Sequence, residues 1–424
     1  MSSTKSATWA RGGLTAVPLA VAYGAVPLGT AIMRGLLGDF ADLPIYIPWL
    51  LLAGLGTLAA LRGKGGSTPF GVKFLFQGML FLLLCTGLMV YAADITAALS
   101  PLLPYLHESA PAVILLFCLL WAGTFGLPDR ADFQRFGALL SLVCIIDFAV
   151  EVFAYQTVPT VRWIGNADVL SGLLVVALCA SLKPGGNQGG CHEPDQGKAA
   201  WRAMILIALL TCLSRTGLFA AAWAVLCFGR GKARYRLLYA LTCAVLIFVS
   251  FLLPPTASDA IRYADYWLWV ESLRLFSENS ALLLTGLPVT DPLPLAFPPG
   301  MSAIWQAATG QSPLFGAYLP QVPSFWLRLT LGWGMLAPVG LLTVVFILLF
   351  RRLTRMGAGL VAGLFAQGMT TPLLYDPATA AAITFGFLLA LSVPRERSAA
   401  APEAVAPAPP VEAGSTDEWN LRPL

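Results

Sequence analysis

The chain has 424 residues, of which 57% are hydrophobic and only 11% are charged. Soluble domains carry about 25% charged residues, so this composition excludes an ordinary soluble protein and indicates a polytopic membrane protein. The formal net charge of +4 gives no support to a nucleic-acid partner.

Apolar runs of membrane-spanning length recur along the whole chain, since a span needs roughly 20 apolar residues. No small-residue cleavage site follows the first run, which is therefore predicted to be a retained span and not a signal peptide. Residues 201–229 form either two short spans or one long, broken span with Arg215 in its middle. The sequence predicts about twelve spans: 14–33, 44–61, 74–93, 110–127, 136–156, 166–182, 200–214, 215–229, 236–254, 325–350, 357–374 and 378–393.

The positions of Lys and Arg predict the orientation, because these residues concentrate on the cytoplasmic side. With the N-terminus inside and twelve crossings, 20 of the 26 Lys and Arg residues fall on that side. The guanidinium group of arginine has a planar set of donors that matches phosphate, so the preference for arginine favours a phosphate-binding site on the outer side. The alternative is that arginine reaches the membrane surface from within a span more easily than lysine does. The six outer cations are all arginine: Arg34, Arg162, Arg215, Arg262, Arg274 and Arg328.

The longest outer segment, residues 255–324, carries an aromatic and apolar pattern interrupted by charges. This pattern predicts an amphipathic helix over 260–285 on the outer membrane face, followed by an irregular lid rich in Pro and Gly. The predicted fold is an all-α polytopic membrane protein with one large, partly helical outer loop. Its parts are a cytoplasmic N-terminus (1–13), nine spans (14–254), the loop (255–324), three spans (325–393) and a disordered cytoplasmic tail (394–424).

The sequence lacks the motifs of soluble enzymes and of metal sites, namely GxxxxGK[ST], HExxH, GxSxG, CxxC and DxD. The Cys191-His192 pair has no second ligand pair nearby, so we predict no metal and no cofactor. Three outer features carry polar residues instead. They are 162-RWIGNADVLSGLL-174, with Arg162, Asn166 and Asp168; 214-SRTG-217, with Ser214, Arg215, Thr216 and Gly217; and the helix from Arg262 to Arg274. Gly217 and its hydroxyl neighbours are expected to leave the backbone open to a ligand.

In this order the features resemble the O-antigen ligase and polymerase family, polytopic enzymes that use lipid-diphosphate-linked glycans on the periplasmic side. R-x-x-G-N-A opens one span, S-R-T-G opens another, and R-x-x-x-x-W opens the large loop. The glycine-rich 325-FWLRLTLGWGMLAPVGLL-342 and the span 364-LFAQGMTTPLLYDP-377 complete the resemblance, which covers about 160–393. It implies a bacterial inner-membrane protein of GT-C type, with both termini cytoplasmic and the active site facing the periplasm.

One departure concerns a histidine that the family usually carries about eleven residues before a glycine of the re-entry helix. Counting back from Gly334 gives Pro323, and the segment 318-YLPQVPSFW-326 contains no histidine. In ligases of the family this residue is implicated in catalysis. Its absence therefore favours the polymerase over the ligase.

The resemblance implies glycosyl transfer from a polyprenyl diphosphate such as undecaprenyl diphosphate, and it adds a flippase and chain-length or export proteins as partners. Arg215, Arg262 and Arg274 would hold the diphosphate without a metal, supported by Arg162 or Arg328. A preorganised donor of this kind is worth ~3 kcal/mol in the transition state. Arg328 is expected to face a cavity and not lipid.

The attacking hydroxyl needs an acceptor for its proton, and Asp265, Glu271, Glu278 and Asp168 are the candidates. The alternative for these acids is ion pairing with the arginines. Asn166, Ser214 and Trp267 are further substrate-binding candidates, although an interfacial tryptophan is the commoner role.

Three other functions stay open: ligase-like transfer to another acceptor, a twelve-span transporter or flippase, and an inactive assembly subunit. Asp147 and Glu151 lie on one face of the fifth span, where they pair with Arg34 or Arg162 or form a proton path that favours a transporter. Against the transporter, the chain shows no duplicated halves.

Overall fold

The computed structural model describes residues 14–37, 43, 46–62, 77–79, 103–156, 161, 163–182, 196–229, 232–252, 257–309, 312–351 and 354–392. All regular structure within these residues is helical, which confirms the predicted all-α class. The predicted N-terminus, the C-terminal tail and most of the third span lie outside the described residues.

The longer helices are numbered here in chain order. They are α1 (Val17–Leu37, with a π-helical turn at Val21–Ala25), α2 (Tyr46–Arg62), α3 (Leu103–Phe125), α4 (Arg130–Phe153), α5 (Ala167–Ala180), α6 (Gln196–Thr211), α7 (Arg215–Phe228), α8 (Ala233–Leu252), α9 (Ala257–Glu278), α10 (Met301–Thr309), α11 (Phe325–Trp333), α12 (Leu336–Arg351), α13 (Arg355–Gly368) and α14 (Pro377–Ser392).

Four helices among the described residues are long and apolar enough to cross a membrane. They are α1, the Glu108–Phe125 part of α3, α4 and α8. Shorter apolar helices accompany them, including α5, α7 and α14. The chain therefore contains the helices of a membrane protein, as its composition predicts.

Short polar side chains determine where several helices begin. The Asn166 side chain accepts from the backbone N–H of Asp168 at the start of α5, and Ser214 accepts from the N–H of Gly217 at the start of α7. These bonds satisfy N–H groups that have no partner within the helix. Ser214 and Leu213, which has a φ of 50°, divide 201–229 into two separate helices, one of the two alternatives that the sequence left open.

Helix α5 lies at the centre of the bundle. Its residues from Leu170 to Ala180 are all buried, and α4, α6, α7, α13 and α14 pack around it. A helix with apolar residues on every side is expected to be buried among other helices, as α5 is. In contrast, α8 packs mainly on α7 and exposes large apolar side chains such as Phe248, as a lipid-facing helix does.

The predicted tenth span, 325–350, is divided into α11 and α12 by a turn at Gly334. Gly334 has a φ of 73°, and a Cβ at this position would collide with the carbonyl of Leu284. Both the positive φ and the close approach require glycine. The run of apolar residues continues through this turn, which is why hydropathy alone does not show it.

Residues 257–324, where described, form a folded lid that rests on α11 and on the end of α13. Its helix α9 ends at Glu278 and a separate helical turn, Leu282–Thr285, follows, so the predicted single helix over 260–285 is interrupted after Glu278. The Asn279 side chain accepts from the backbone of Ala281 and starts that turn. Trp269 Nε1 donates to the carbonyl of Met369 at 3.0 Å and attaches the lid to α13.

Gly217 provides a test of how closely α5 and α7 pack. A Cβ at Gly217 would collide with the Ser171 side chain close to its backbone, so Gly217→Ala forces the helices apart. We expect a loss of about 1–3 kcal/mol, measured as a lower midpoint of thermal unfolding in detergent. The matched control is Gly340→Ala on α12, where a Cβ meets no atom within 4 Å. Equal midpoints for the two variants would contradict the packing described here.

Candidate functional site

The starts of α5 and α7 meet in a cluster of hydroxyl groups around the Asp168 carboxylate. Ser214 Oγ donates to Asp168 Oδ1 at 2.5 Å, and Thr216 Oγ1 donates to the same oxygen at 3.3 Å. Ser171 Oγ donates in turn to Ser214 Oγ at 3.1 Å. Two stretches that the sequence singled out separately, 162–174 and 214–217, therefore form one structure, here called the α5–α7 junction.

Gly217 does not leave the backbone open to a ligand, and that interpretation was wrong. Its backbone is buried against Ser171 of α5. The absence of a side chain serves the close packing of the two helices.

Asp265 of the lid helix α9 lies close enough to the junction for the Asp168 carboxylate to act on it. Burial, and then the negative charge of Asp168, raise the pKa of Asp265 to about 6. Both effects disfavour the ionised form. The pKa of Asp265 is thus closer to neutral pH than that of an ordinary carboxyl group, and a general base works best when its pKa is near the working pH.

Arg274 and Glu271, both predicted to be catalytic, form an ion pair on the surface of α9. Arg274 Nη2 lies 2.9 Å from Glu271 Oε2, and its Nε lies 3.2 Å from Glu278 Oε1. For Glu271 and Glu278 the structure thus shows the ion pairing with an arginine that was the alternative to a catalytic role. Pairs this exposed contribute at most about 1 kcal/mol to stability.

Arg215 binds the end of α8. Its Nε donates to Ser250 Oγ at 2.9 Å, its Nη2 donates to the Ser250 carbonyl at 3.0 Å, and its guanidinium lies 3.8 Å from the centre of the Phe251 ring. A cation at the C-terminal end of a helix is stabilised by the exposed carbonyls and by the helix dipole. Arg215 therefore has a structural role in this conformation.

Arg328 is buried, and its side chain contacts protein groups. Its Nε and Nη2 donate to Glu108 Oε1 at 2.8 and 2.7 Å, and its Nη1 donates to the carbonyl of Pro320 at 3.0 Å. The guanidinium also stacks over the Tyr375 ring at 3.6 Å. Arg328 thereby ties α11 to α3, to the lid and to the turn before α14.

The remaining predicted residues have different surroundings. Trp267 packs in the core of the lid, 4.8 Å from the ring centre of Phe297 and 6.0 Å from that of Trp305. Asn166 caps α5. Arg262 belongs to α9 but its side chain is outside the described part, and Arg162 is not described.

The sequence did not single out Glu108 or Ser171 as parts of this arrangement. Glu108 stands 220 positions from Arg328, so only the fold brings them together. Ser171 lies three residues after Asp168, and this spacing places both side chains on the same face of α5. The described residues contain no group of three or more His, Cys, Asp and Glu side chains that could hold a metal ion.

The arrangement is suited to proton transfer beside an anionic substrate. The starts of two helices, whose dipoles favour negative charge, flank the Asp168 carboxylate. Asp265 of the lid is partly buried and lies within electrostatic reach of the Asp168 carboxylate. Arg215 lies on α7, next to the capping Ser214, and is the described cation nearest to the junction in sequence.

The buried Glu108–Arg328 pair is open to a double-mutant test. Glu108→Gln leaves Arg328 buried opposite a neutral group, so we expect a loss of roughly 3–5 kcal/mol in unfolding experiments. Replacing both partners, as Glu108→Gln with Arg328→Met, removes the unpaired charge and should restore much of the loss. Glu278→Gln, at an exposed pair, is the control and should change stability by about 1 kcal/mol or less. A Glu108→Gln protein as stable as wild type would contradict the role of this pair.

The sequence was also compared with known proteins. Neither a protein-family model nor a curated protein matches the chain.

Proposed function

We propose that this chain is an integral membrane glycosyltransferase that polymerises polyprenyl-diphosphate-linked oligosaccharide repeat units into a surface polysaccharide or exopolysaccharide. In this proposal twelve spans cross the bacterial inner membrane, both termini are cytoplasmic, and the lid covers the site on the periplasmic face. The observation that supports it most is that the Asp168 carboxylate, held by Ser214 at the α5–α7 junction, acts electrostatically on the partly buried Asp265 of the lid.

The proposed step is a displacement at the anomeric carbon of the donor sugar. The acceptor hydroxyl forms the new C–O bond and gives its proton to the Asp265 carboxylate. The bond to the diphosphate breaks, and its electron pair leaves with the polyprenyl diphosphate. Negative charge grows on that diphosphate, so fixed cations lower the barrier.

The cations in this proposal are Arg215, Arg262 and Arg274. Arg215 is held by the neutral acceptors of Ser250, which a diphosphate would replace with stronger, charge-assisted hydrogen bonds. Arg274 would break its ion pairs with Glu271 and Glu278 and bind the diphosphate of the substrate in their place. Arg328 is fully engaged with Glu108 and supports the site by holding α11 in place.

Asp265 takes the part that the family gives to a histidine. The segment 318–326 offers no replacement, since Ser324 caps α11 and donates to the carbonyl of Gly368 at 3.1 Å. Glu271 is paired with Arg274. Asp265 is the remaining catalytic candidate with a raised pKa, which suits a base.

The proposal is tested with purified protein in nanodiscs and the lipid-linked repeat unit of its own pathway. We expect longer glycan chains by mass spectrometry, with release of one polyprenyl diphosphate per bond formed, in the presence of a metal chelator. Transfer of single units to a different lipid would instead identify a ligase. Intact substrate after incubation with well-folded protein would rule out both.

Asp265 makes the activity depend on pH in a specific way. Its ionised form is the base, so activity should fall as pH decreases through about 6, by about tenfold per pH unit below that value. Asp265→Asn should lose activity by roughly 10²–10⁴-fold above pH 6, and its profile should lack the acidic limb of wild type, so that the difference shrinks at lower pH. The control is Asp291→Asn, at an exposed acid of the lid, which should keep the wild-type profile. Full activity of Asp265→Asn would remove Asp265 from the mechanism.

A second candidate is a carrier or flippase, which one observation favours. Asp147 and Glu151 are both buried within α4, a helix long enough to span a membrane. Buried acids in spans often belong to ion or proton pathways. Movement of the lipid-linked oligosaccharide between leaflets of a vesicle, without elongation, would favour this candidate over the enzyme.

A further inference from the structure

A pair of cysteines lies where two helices of the bundle pack together along their length. Cys144 belongs to α4, and Cys212 directly follows the last turn of α6. Both are free thiols, and both are buried. The structure brings the two side chains within hydrogen-bonding reach of each other. Two thiols in contact form a place where a covalent bond between helices can be made.

The register of α4 on α6 gives this contact an independent geometric basis. A Cβ at Gly137 of α4 would lie 3.3 Å from Ile205 Cδ1 of α6, so the two helices touch there. Cys144 and Cys212 each follow that contact by seven residues, which is about two helical turns. The two helices therefore run in the same direction and in step. A seven-residue repeat returns both chains to the same seam between the helices.

Small side chains fill the seam between these two contacts. Ser141 of α4 and Ala208 of α6 are fully buried there. Ser141 Oγ donates to the carbonyl of Gly137 at 2.6 Å, so its hydroxyl group is satisfied within its own helix. Small residues let helix backbones approach closely, and a disulfide requires Cα atoms no more than about 7 Å apart. The packing of α4 on α6 is thus of the kind that a disulfide can cross-link.

The cysteine pair also adjoins the candidate functional site. Cys212 is followed by Leu213, where the chain turns with a positive φ, and then by Ser214, which caps α7 and binds Asp168. A bond from Cys212 to α4 would hold this turn to the bundle. In the orientation proposed above the turn lies on the periplasmic side, where oxidising conditions maintain disulfides.

We infer that Cys144 and Cys212 form a reversible redox pair, which a membrane-soluble two-electron oxidant of the quinone or azo class converts to a disulfide. Two S–H bonds break and one S–S bond forms, and the two electrons and two protons pass to the oxidant. A thiol reductant reverses the step. The inference rests on the packing of α4 and α6 and does not depend on glycosyl transfer.

The test uses the full-length protein in nanodiscs, either reduced or treated with diamide, an azo oxidant. Free thiols are then blocked with N-ethylmaleimide in denaturant at mildly acidic pH, which stops disulfide exchange, and the peptides are mapped by mass spectrometry. We expect diamide to produce a cross-linked Cys144–Cys212 peptide pair, about 2 Da lighter than the sum of the two thiol peptides, that dithiothreitol separates. The internal controls are Cys179 and Cys243, buried thiols near Tyr23 and Tyr239, which should be blocked in both samples.

A second measurement distinguishes this disulfide from general oxidation. The oxidised protein should unfold at a higher temperature than the reduced protein, because the cross-link restricts the unfolded chain. Cys212→Ala should unfold at the same temperature with and without diamide. Recovery of blocked Cys144 and blocked Cys212 from diamide-treated wild type, or linkage of Cys212 to a different cysteine, would overturn the inference. Neither of these results requires a variant to fold, and neither bears on whether the protein transfers sugars.

Discussion

The hydrogen bond from Ser214 to Asp168 is the interaction on which the rest of the site depends. It joins the first turn of α7 to the first turn of α5, the most deeply buried helix of the bundle. The same serine caps α7 and accepts from Ser171, so one hydroxyl group fixes the start of α7 and its distance from α5. Gly217 packs directly on Ser171, so the two helices approach each other too closely for a larger residue at this position.

This junction also explains why a carboxylate and several arginines coexist at one end of the protein. Among the residues that the structure describes, the Asp168 side chain accepts from the hydroxyl groups of Ser214 and Thr216 and lies at the start of α5. The described arginines have other partners, which are Ser250 for Arg215, Glu271 for Arg274 and Glu108 for Arg328. A diphosphate substrate would therefore exchange existing contacts of Arg215 and Arg274. The binding free energy would then include only the difference between the free energies of the contacts that are lost and those that are formed.

The sequence predicted much of the helical framework and less of its tertiary contacts. Long apolar runs placed α5 and α7 correctly, because this signal is local. Asn166 and Ser214, predicted to bind substrate, cap these helices, a role that was not predicted for them from the sequence. The turn at Gly334 was missed because apolar residues lie on both sides of it. The Glu108–Arg328 pair was missed because its partners are far apart in sequence. Gly217 was interpreted wrongly because a glycine is compatible both with a backbone that is open to a ligand and with close packing of two helices.

The central claim is that Asp168 and Asp265, from the bundle and the lid, act in one site. The most direct measurement is the pH–rate profile of Asp168→Asn beside that of wild type. Removing the Asp168 charge leaves burial as the main influence on Asp265, so its pKa decreases and the acidic limb of the profile should move to lower pH. An active Asp168→Asn protein whose acidic limb stays at the wild-type position would contradict the account.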